Sequence, residues 1–474
     1  MRAGVPRRTG SLLAASAVGL MAAGCTLNPP PDTKTIQSES MPKVDVPAAW
    51  KAGSPAAGSV ADNWLASFQD EPLGSAVNEA IANNADLRVG AARVEQAELY
   101  AKLAGAKLYP SVDLLARGGT KLSSDSSGLQ GGWLLMSWEI DLWGRVRYGR
   151  AAAAADALSA QADYEYSRQS LAALVAKNWF MATEATLQAE LARQTINESE
   201  RLVSLAQTRT QVGAGNEEDV AVARASVGTY RDALRQIELG RESSIRALEL
   251  LMGHYPAAAV AVDTRLPGQP PPVPAGLPSE LLERRPDVIA AERRVAAAFN
   301  RVGEAKAARL PTISLTSGLS AISSDLVVLK DHDNPVWSLG ANLVAPLYKG
   351  GALKTQVEIK TSEQKQAVAA YASVGMRAFG EVEGALSAEL AAHDREQILT
   401  QTLADNQRAY DLVQTQYRVG STDMRFVTQR QLAVNATQSA LIHVQAEQRV
   451  QRVNVHLALG GSFTTLSSQV PPPK

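Results

Sequence analysis

Leu134-Leu135-Met136-Ser137-Trp138-Glu139-Ile140-Asp141-Leu142 decides the fold. Leu134, Met136, Trp138, Ile140 and Leu142 fall on even positions, with Ser137, Glu139 and Asp141 between them. A period of two makes a strand with one apolar face and one wet face. The preceding stretch does the same, setting Val112, Leu114, Ala116, Gly118 and Leu122 against Asp113, Arg117 and Lys121. Later in the chain Ile313, Leu315, Leu319 and Ala321 alternate with Thr312, Ser314, Thr316 and Ser320. Trp337, Leu339, Ala341, Leu343 and Leu347 alternate with Ser338, Gly340 and Asn342. Four strands are predicted, at about 111–123, 130–142, 312–324 and 335–347.

A soluble sandwich also alternates, so length arbitrates. About 12 residues rising ~3.3 Å each and tilted ~45° cross roughly 28 Å, the thickness of a bilayer core. Globular strands run about 5–6 residues. Four strands are too few, because the smallest outer-membrane barrels have about eight. An open edge in lipid leaves backbone groups unsatisfied. Further copies must therefore close the barrel. Three copies give twelve strands, whereas two give eight and a lumen nearly filled by side chains.

The helices are unusual too. From Arg145 to about Val212 there is no proline, and Gly149 is the one internal glycine. Lys354 to about Val419 contains only Gly375, Gly380 and Gly384. Both stretches are rich in Ala, Leu, Gln, Glu and Arg, strong helix formers. Each predicts about 65 residues of helix, roughly 100 Å long. Globular helices average about 11–12 residues, so lateral coiled-coil-like partners are implied. Gly-containing turns return the chain, giving hairpins over about 145–252 and 352–459.

The chain is written twice. Asp86-Leu87-Arg88-Val89 matches Asp287-Val288-Ile289-Ala290, Tyr109-Pro110-Ser111-Val112 matches Leu310-Pro311-Thr312-Ile313, and Val212-Gly213 matches Val419-Gly420. Residues 61–266 and 279–462 form the two repeats. The proline-rich stretch 267–278 joins them and suits neither helix nor central strand. A tail, 463–474, follows.

The N-terminus is an address. Arg2, Arg7 and Arg8 precede an apolar run from Ser11 to Gly24, which reads as a secretory signal over 1–24. Ala22-Ala23-Gly24-Cys25 resembles the lipobox of bacterial lipoproteins, although Ala22 replaces the usual large aliphatic residue. The resemblance implies cleavage before Cys25, its acylation, a lipidated linker over 25–60 and, with Thr26 next, outer-membrane sorting.

Composition removes other classes. A formal net charge of −1 over 474 residues gives no electrostatic reason to bind nucleic acid. Cys25 is the single cysteine, so no disulfide framework or cysteine metal cluster is available. His254, His332, His393, His443 and His456 lack metal-ligand spacing. No cofactor or metal is expected. Glu139 and Asp141 read as solvated lumen or barrel-rim residues, and no nucleophile–base set appears, so no enzyme is expected.

These features resemble the TolC superfamily, specifically NodT-type efflux lipoproteins. The likeness rests on Leu281-Leu282-Glu283-Arg284-Arg285-Pro286-Asp287, on Trp138 to Arg145, on Ala345-Pro346-Leu347-Tyr348-Lys349-Gly350-Gly351, and on the two turns. It covers nearly the whole mature chain. It implies a homotrimer with a twelve-stranded transmembrane β-barrel and a helical hairpin barrel in the periplasm of a Gram-negative cell. It also implies a membrane-fusion adaptor, an inner-membrane RND-type pump, and export of drugs or other small toxic compounds. A protein-secretion duct of the same fold is the alternative, and an envelope-spacing lipoprotein is disfavoured by the barrel alternation.

The turns are then expected at the periplasmic gate. Val212, Gly213, Gly215, Val419 and Gly420 would dock the adaptor. Tyr417, Arg418, Arg425, Gln429, Glu217 and Glu218 would form the tip. Relatives often place a Leu and then an Asp one turn apart here, as an acidic ring. Arg425 and Gln429 occupy those positions, so the ring is absent. The expectation is that Arg425 pairs with Glu217 or Glu218 while Tyr417 packs across the neighbouring hairpin. Asn216 and Thr422-Asp423 also read as helix caps with acids in the first turn.

Overall fold

A computed structural model describes residues 27–52, 58–117, 130–323 and 336–464. The expected signal 1–24, Cys25, Lys121 and tail residues 465–474 lie outside them. Helices α1 (Thr33–Ser40), α2 (Glu71–Asn83) and α3 (Ala85–Ala106) precede strands β1 (Ser111–Arg117) and β2 (Gln130–Ile140), and α4 (Arg145–Gln211) and α5 (Glu217–Met252) follow. The second half runs α6 (Leu281–Arg284), α7 (Pro286–Ala307), β3 (Thr312–Ser323), β4 (Val336–Val344), α8 (Ala352–Arg418) and α9 (Met424–Ala458). The chain divides into two compact units. One holds residues up to Val44, Ala92–Ala162 and Ile289–Val374; the other holds Asp45–Ala91, Asp163–Val288 and the chain from Gly375.

The first unit contains a four-stranded antiparallel sheet of order β1-β2-β3-β4. Residues directly opposite in such a sheet share a face. Leu114 faces Leu134, Leu134 faces Leu319, and Leu319 faces Trp337. Ile140, Ile313 and Leu343 make a second row. The apolar sets of the four strands therefore coincide on one side. Glu139, Ser314 and Asn342 line up on the other, where Leu115, Trp133, Leu135, Val336 and Val344 are apolar exceptions. Among the described residues β1 and β4 each pair on one side only.

Two strand ends fall short of expectation for identifiable reasons. β2 stops at Ile140 because the Asp141 carboxylate accepts the Val146 and Arg147 amides, at 3.0 and 2.9 Å, and caps α4. β4 stops at Val344, just before Pro346, which has no amide to donate. Glu139 and Asp141 lie at the end of β2, as rim residues would, but arginines hold both carboxylates rather than solvent. Glu139 pairs with Arg145 at 2.5 Å and Asp141 with Arg147 at 3.1 Å, the Asp141 side chain being only 9% exposed.

Helices α4 and α8 have 67 residues each, roughly 100 Å at 1.5 Å per residue. No helix among the described residues is long and apolar enough to cross a membrane. Their lateral partners are clear in the second unit. Ala172, Ala173, Ala176 and Phe180 of α4 share a core with Trp64, Phe68, Leu73 and Val77, and with Leu248 and Met252 of α5. Alanine at those positions lets helices approach closely, and Phe68 and Phe180 sit 5.1 Å apart between ring centroids. The proline-rich segment cannot donate amide hydrogens, but its carbonyls accept. Arg449 reaches the Pro267 carbonyl at 2.8 Å, and Arg452 reaches those of Pro270 and Pro271. Arg285, 1% exposed, ties the start of α7 to α8 and to the end of α9. It pairs with Asp287 at 2.8 Å and Glu381 at 2.7 Å, and donates to the Ala458 carbonyl. Burial opposes its charge, but the two carboxylates outweigh burial and raise the guanidinium pKa.

Candidate functional site

Each hairpin closes through a turn built on one left-handed glycine. Gly213 has φ of +74° and Gly420 of +82°, conformations open to glycine without strain. At the first tip the Ala214 amide donates back to the Arg209 carbonyl at 2.8 Å, and Asn216 caps α5 by accepting the Asp219 amide at 2.8 Å. At the second, the Ser421 amide donates to the Gln416 carbonyl, and Asp423 caps α9 by accepting the Arg425 and Phe426 amides. Val212 and Val419 stand exposed on the turns, at 72% and 76%. They are apolar knobs presented by the loops themselves.

The two tips meet through a buried carboxylate. Tyr417, fully buried, donates its hydroxyl to Asp219 Oδ2 at 3.2 Å. The Met424 amide donates to Asp219 Oδ1 at 3.2 Å. The Arg209 guanidinium lies 4.3 Å above the Tyr417 ring and donates to the Ala214 carbonyl at 2.8 Å. A cation over an aromatic face is attractive and strengthens as water is excluded. Burial, with Asp219 beside it, pushes the Tyr417 phenol up to about 12, so it stays a donor at ordinary pH. Leu202, Ala206, Val220 and Ala223 of the first hairpin pack with Tyr410, Tyr417, Met424 and Val427 of the second.

Around this buried core lies an exposed charge set. Arg425 sits 3.8 Å from Glu218 and 3.2 Å from Asp423, with its side chain 66% exposed. The closer partner is thus the cap of its own helix. Among the described residues Glu217 makes no ion pair with it. Arg418 donates to Gln414 one turn back at 2.9 Å, and Gln429 is exposed. From sequence, Asp219 reads only as a first-turn acid, and Arg209 carries no signal. The spacing marks a cap, but nothing local says that this acid is buried by another hairpin. Among the described residues no group of three or more His, Cys, Asp or Glu gathers as a metal site.

The family profile described as "Outer membrane efflux protein" matches residues 76–254 and 277–461, one stretch for each repeat. The chain belongs to the outer membrane efflux protein family. The cation efflux system protein CusC of Escherichia coli O6:H1 is 28% identical over 460 residues, covering 94% of this chain and 97% of that protein. The pyoverdine export outer membrane protein OpmQ of Pseudomonas aeruginosa is 30% identical over 441 residues, covering 88% and 91%. Among solved structures, CusC aligns with a TM-score of 0.80 at 25% identity over 88% of this chain and 97% of that one. The Campylobacter jejuni CmeC outer membrane channel aligns at 0.82 and 23% identity over 93% and 95%, which speaks to the fold. This family member is accordingly an outer-membrane efflux channel of TolC-like fold, with its helical part in the periplasm. Its sheet contributes strands to a transmembrane barrel, and its hairpins are the periplasmic conduit.

Proposed function

We propose that the chain works as a homotrimer, a passive exit duct for small toxic compounds. It is gated at the hairpin tips and powered by an inner-membrane RND-type pump through a membrane-fusion adaptor. One observation carries the reading: among the described residues the sheet ends in two strands, β1 and β4, that lack partners on their outer sides. An unpaired edge is not tolerated in lipid, so copies of the chain close the ring. Three copies leave a lumen where two fill it. Transport needs no catalytic group, and the passage works without catalysis. The tips supply the closure: Asp219, Tyr417 and Arg209 hold them inside the protomer, while Arg425 and Glu218 bias them from outside. Val212, Gly213, Gly215, Val419 and Gly420 give the adaptor an apolar, backbone-rich surface. The names of the relatives span cations, pyoverdine, toluene and antibiotics. That spread fits a conduit that leaves selection to the pump. Acylated Cys25 adds a second anchor beside the barrel, since one acyl chain alone holds weakly.

Native mass spectrometry of the protein in detergent, paired with planar-bilayer recording, tests the reading. A trimer that conducts is expected. A monodisperse monomer with the same conductance refutes it. The intact mass also reads the acyl groups on Cys25.

A further inference from the structure

One end of the sheet gathers cations that have no carboxylate partner among the described residues. β1 and β3 begin at that end, at Ser111 and Thr312, while β2 and β4 finish there, at Ile140 and Val344. The chain entering or leaving this end carries Lys107, Lys306, Arg309 and Lys349, all exposed. None of the four makes an ion pair among the described residues. Arg145, Arg147, Arg301, Lys354 and Lys360 in the same unit each have a carboxylate. The two acids at the end of β2, Glu139 and Asp141, are taken by Arg145 and Arg147, and Asp113 lies inside the ladder of β1. Glu304 adds an acid close to Arg145, but four unpaired cations against it leave the end net positive.

Aromatic side chains share it. Tyr109 is 74% and Tyr348 87% exposed, and Trp143 is half-exposed with its indole N–H donating to the Pro311 carbonyl at 2.8 Å. Beside Trp143 lies a cavity of about 280 Å³. Tyr148, Phe299 and Leu310 give it apolar walls, and Lys306, Asn28 and Gln364 supply polar atoms at its side. Amphipathic rings settle at the headgroup level of a bilayer. Lysine and arginine beside them attract anionic lipid. The helices leave the sheet from this end, so in an outer-membrane channel with a periplasmic helical part it faces the periplasmic leaflet.

We propose that Lys107, Lys306, Arg309 and Lys349, set among Tyr109, Trp143 and Tyr348, form a docking belt for anionic phospholipid headgroups. The lipid phosphate takes the place of the carboxylates these cations lack, and the cavity beside Lys306 receives the glycerol and upper acyl segments. The occupant is a lipid of the surrounding leaflet. A phosphate ion fits the charge but leaves the aromatic rings and the apolar cavity walls unused.

The test uses the full-length channel in nanodiscs of phosphatidylethanolamine with a minority of phosphatidylglycerol. After brief transfer to mild detergent, native mass spectrometry counts the lipids retained. Wild type should retain phosphatidylglycerol at roughly fivefold its bulk ratio, the preference expected from one engaged cation per lipid. Raised salt should shrink the enrichment by screening. The variant K107Q/K306Q/R309Q/K349Q should retain the bulk ratio. The charge-preserving K107R/K306R/R309K/K349R should keep the enrichment, which guards against misfolding of the first variant. Arg408→Gln, an exposed cation about 84 Å along α8 from its start, should change nothing. Conductance recorded in parallel reads the channel separately from the lipid. A bulk lipid ratio in wild type overturns the proposal, as does enrichment that survives in the neutralised variant.

Discussion

A buried histidine stacked on an indole shows how single residues set the pH response of the helical unit. His456 is 5% exposed and lies nearly parallel to Trp64, ring centroids 5.8 Å apart. Burial first, then nearby Arg452, pushes its pKa down to about 3. The unfolded chain takes up the proton near pH 6.5, whereas the folded chain resists until about 3. The stabilising share is present above 6.5 and lost as pH falls through that window. His456→Phe keeps a ring against Trp64 and removes the titration. Between pH 7 and pH 4 its melting temperature should fall less than that of wild type. The difference, read by circular dichroism, should correspond to roughly a few kcal/mol at most. At the tips, Tyr417→Phe deprives the buried Asp219 carboxylate of a donor and should cost about 1–3 kcal/mol of closure. Arg425→Glu acts on an exposed pair and places like charges beside Glu218 and Asp423. Both should raise single-channel conductance, and Glu218→Arg should partly reverse the second effect. If Arg425→Glu leaves conductance and its salt dependence unchanged, Arg425 has no part in the gate, and the buried set alone holds it.

Among the elements, the strands and long helices were the most legible because period and length are local properties. Leu134, Leu114, Leu319 and Trp337 were readable one strand at a time, and the register then sets them in a single row. The ends were less legible. Asp141 reads in sequence as a wet-face strand residue, and only the Val146 and Arg147 amides it accepts reveal a helix cap. Nothing local to Arg285 at its helix start announces burial, yet Asp287, Glu381 and the Ala458 carbonyl surround it. Two of those partners lie about 100 and 170 residues away, beyond any local pattern. The apolar row makes its own prediction. Leu134→Arg or Leu315→Arg should put charge against lipid and cost about 2–4 kcal/mol near the midplane. Ser314→Lys, on the opposite face, should be tolerated. Heat-resistant assembly on a semi-native gel measures all three, and equal yields contradict the face assignment.

At the scale of the whole molecule, the repeat predicts how separate copies meet. Asp86 and Asp287 lie 201 positions apart, as do Tyr109 and Leu310, whereas Val212 and Val419 lie 207 apart. The registers carry the same two spacings. Ser111 opposes Ser137 and Thr312 opposes Val344, so β1 maps onto β3 by 201 and β2 onto β4 by 207. Inside the chain, β2 meets β3 with Met136 opposite Ser317 and Ser137 opposite Thr316. If the ring of strands is uniform, β4 meets β1 of the next copy in the equivalent register. Val344 then stands where Ser137 does and Leu115 where Thr316 does, so Val344 opposes Leu115 and Leu343 opposes Ala116. The faces agree independently: Leu343 shares the apolar row of Ile140 and Ile313, and Ala116 belongs to the apolar set of β1. A one-residue slip sets an apolar face against a wet one, so register is strongly specified. Leu343→Cys combined with Ala116→Cys should therefore cross-link copies into covalent dimers and trimers under mild oxidation, because opposed residues lie within disulfide reach. Either substitution alone should give no such ladder, which controls for Cys25. Leu343→Cys with Leu114→Cys should react more slowly, being two residues out of line. Faster cross-linking of that second pair means the strands between copies are staggered differently from those within one, and the barrel closes by a shear the repeat does not encode.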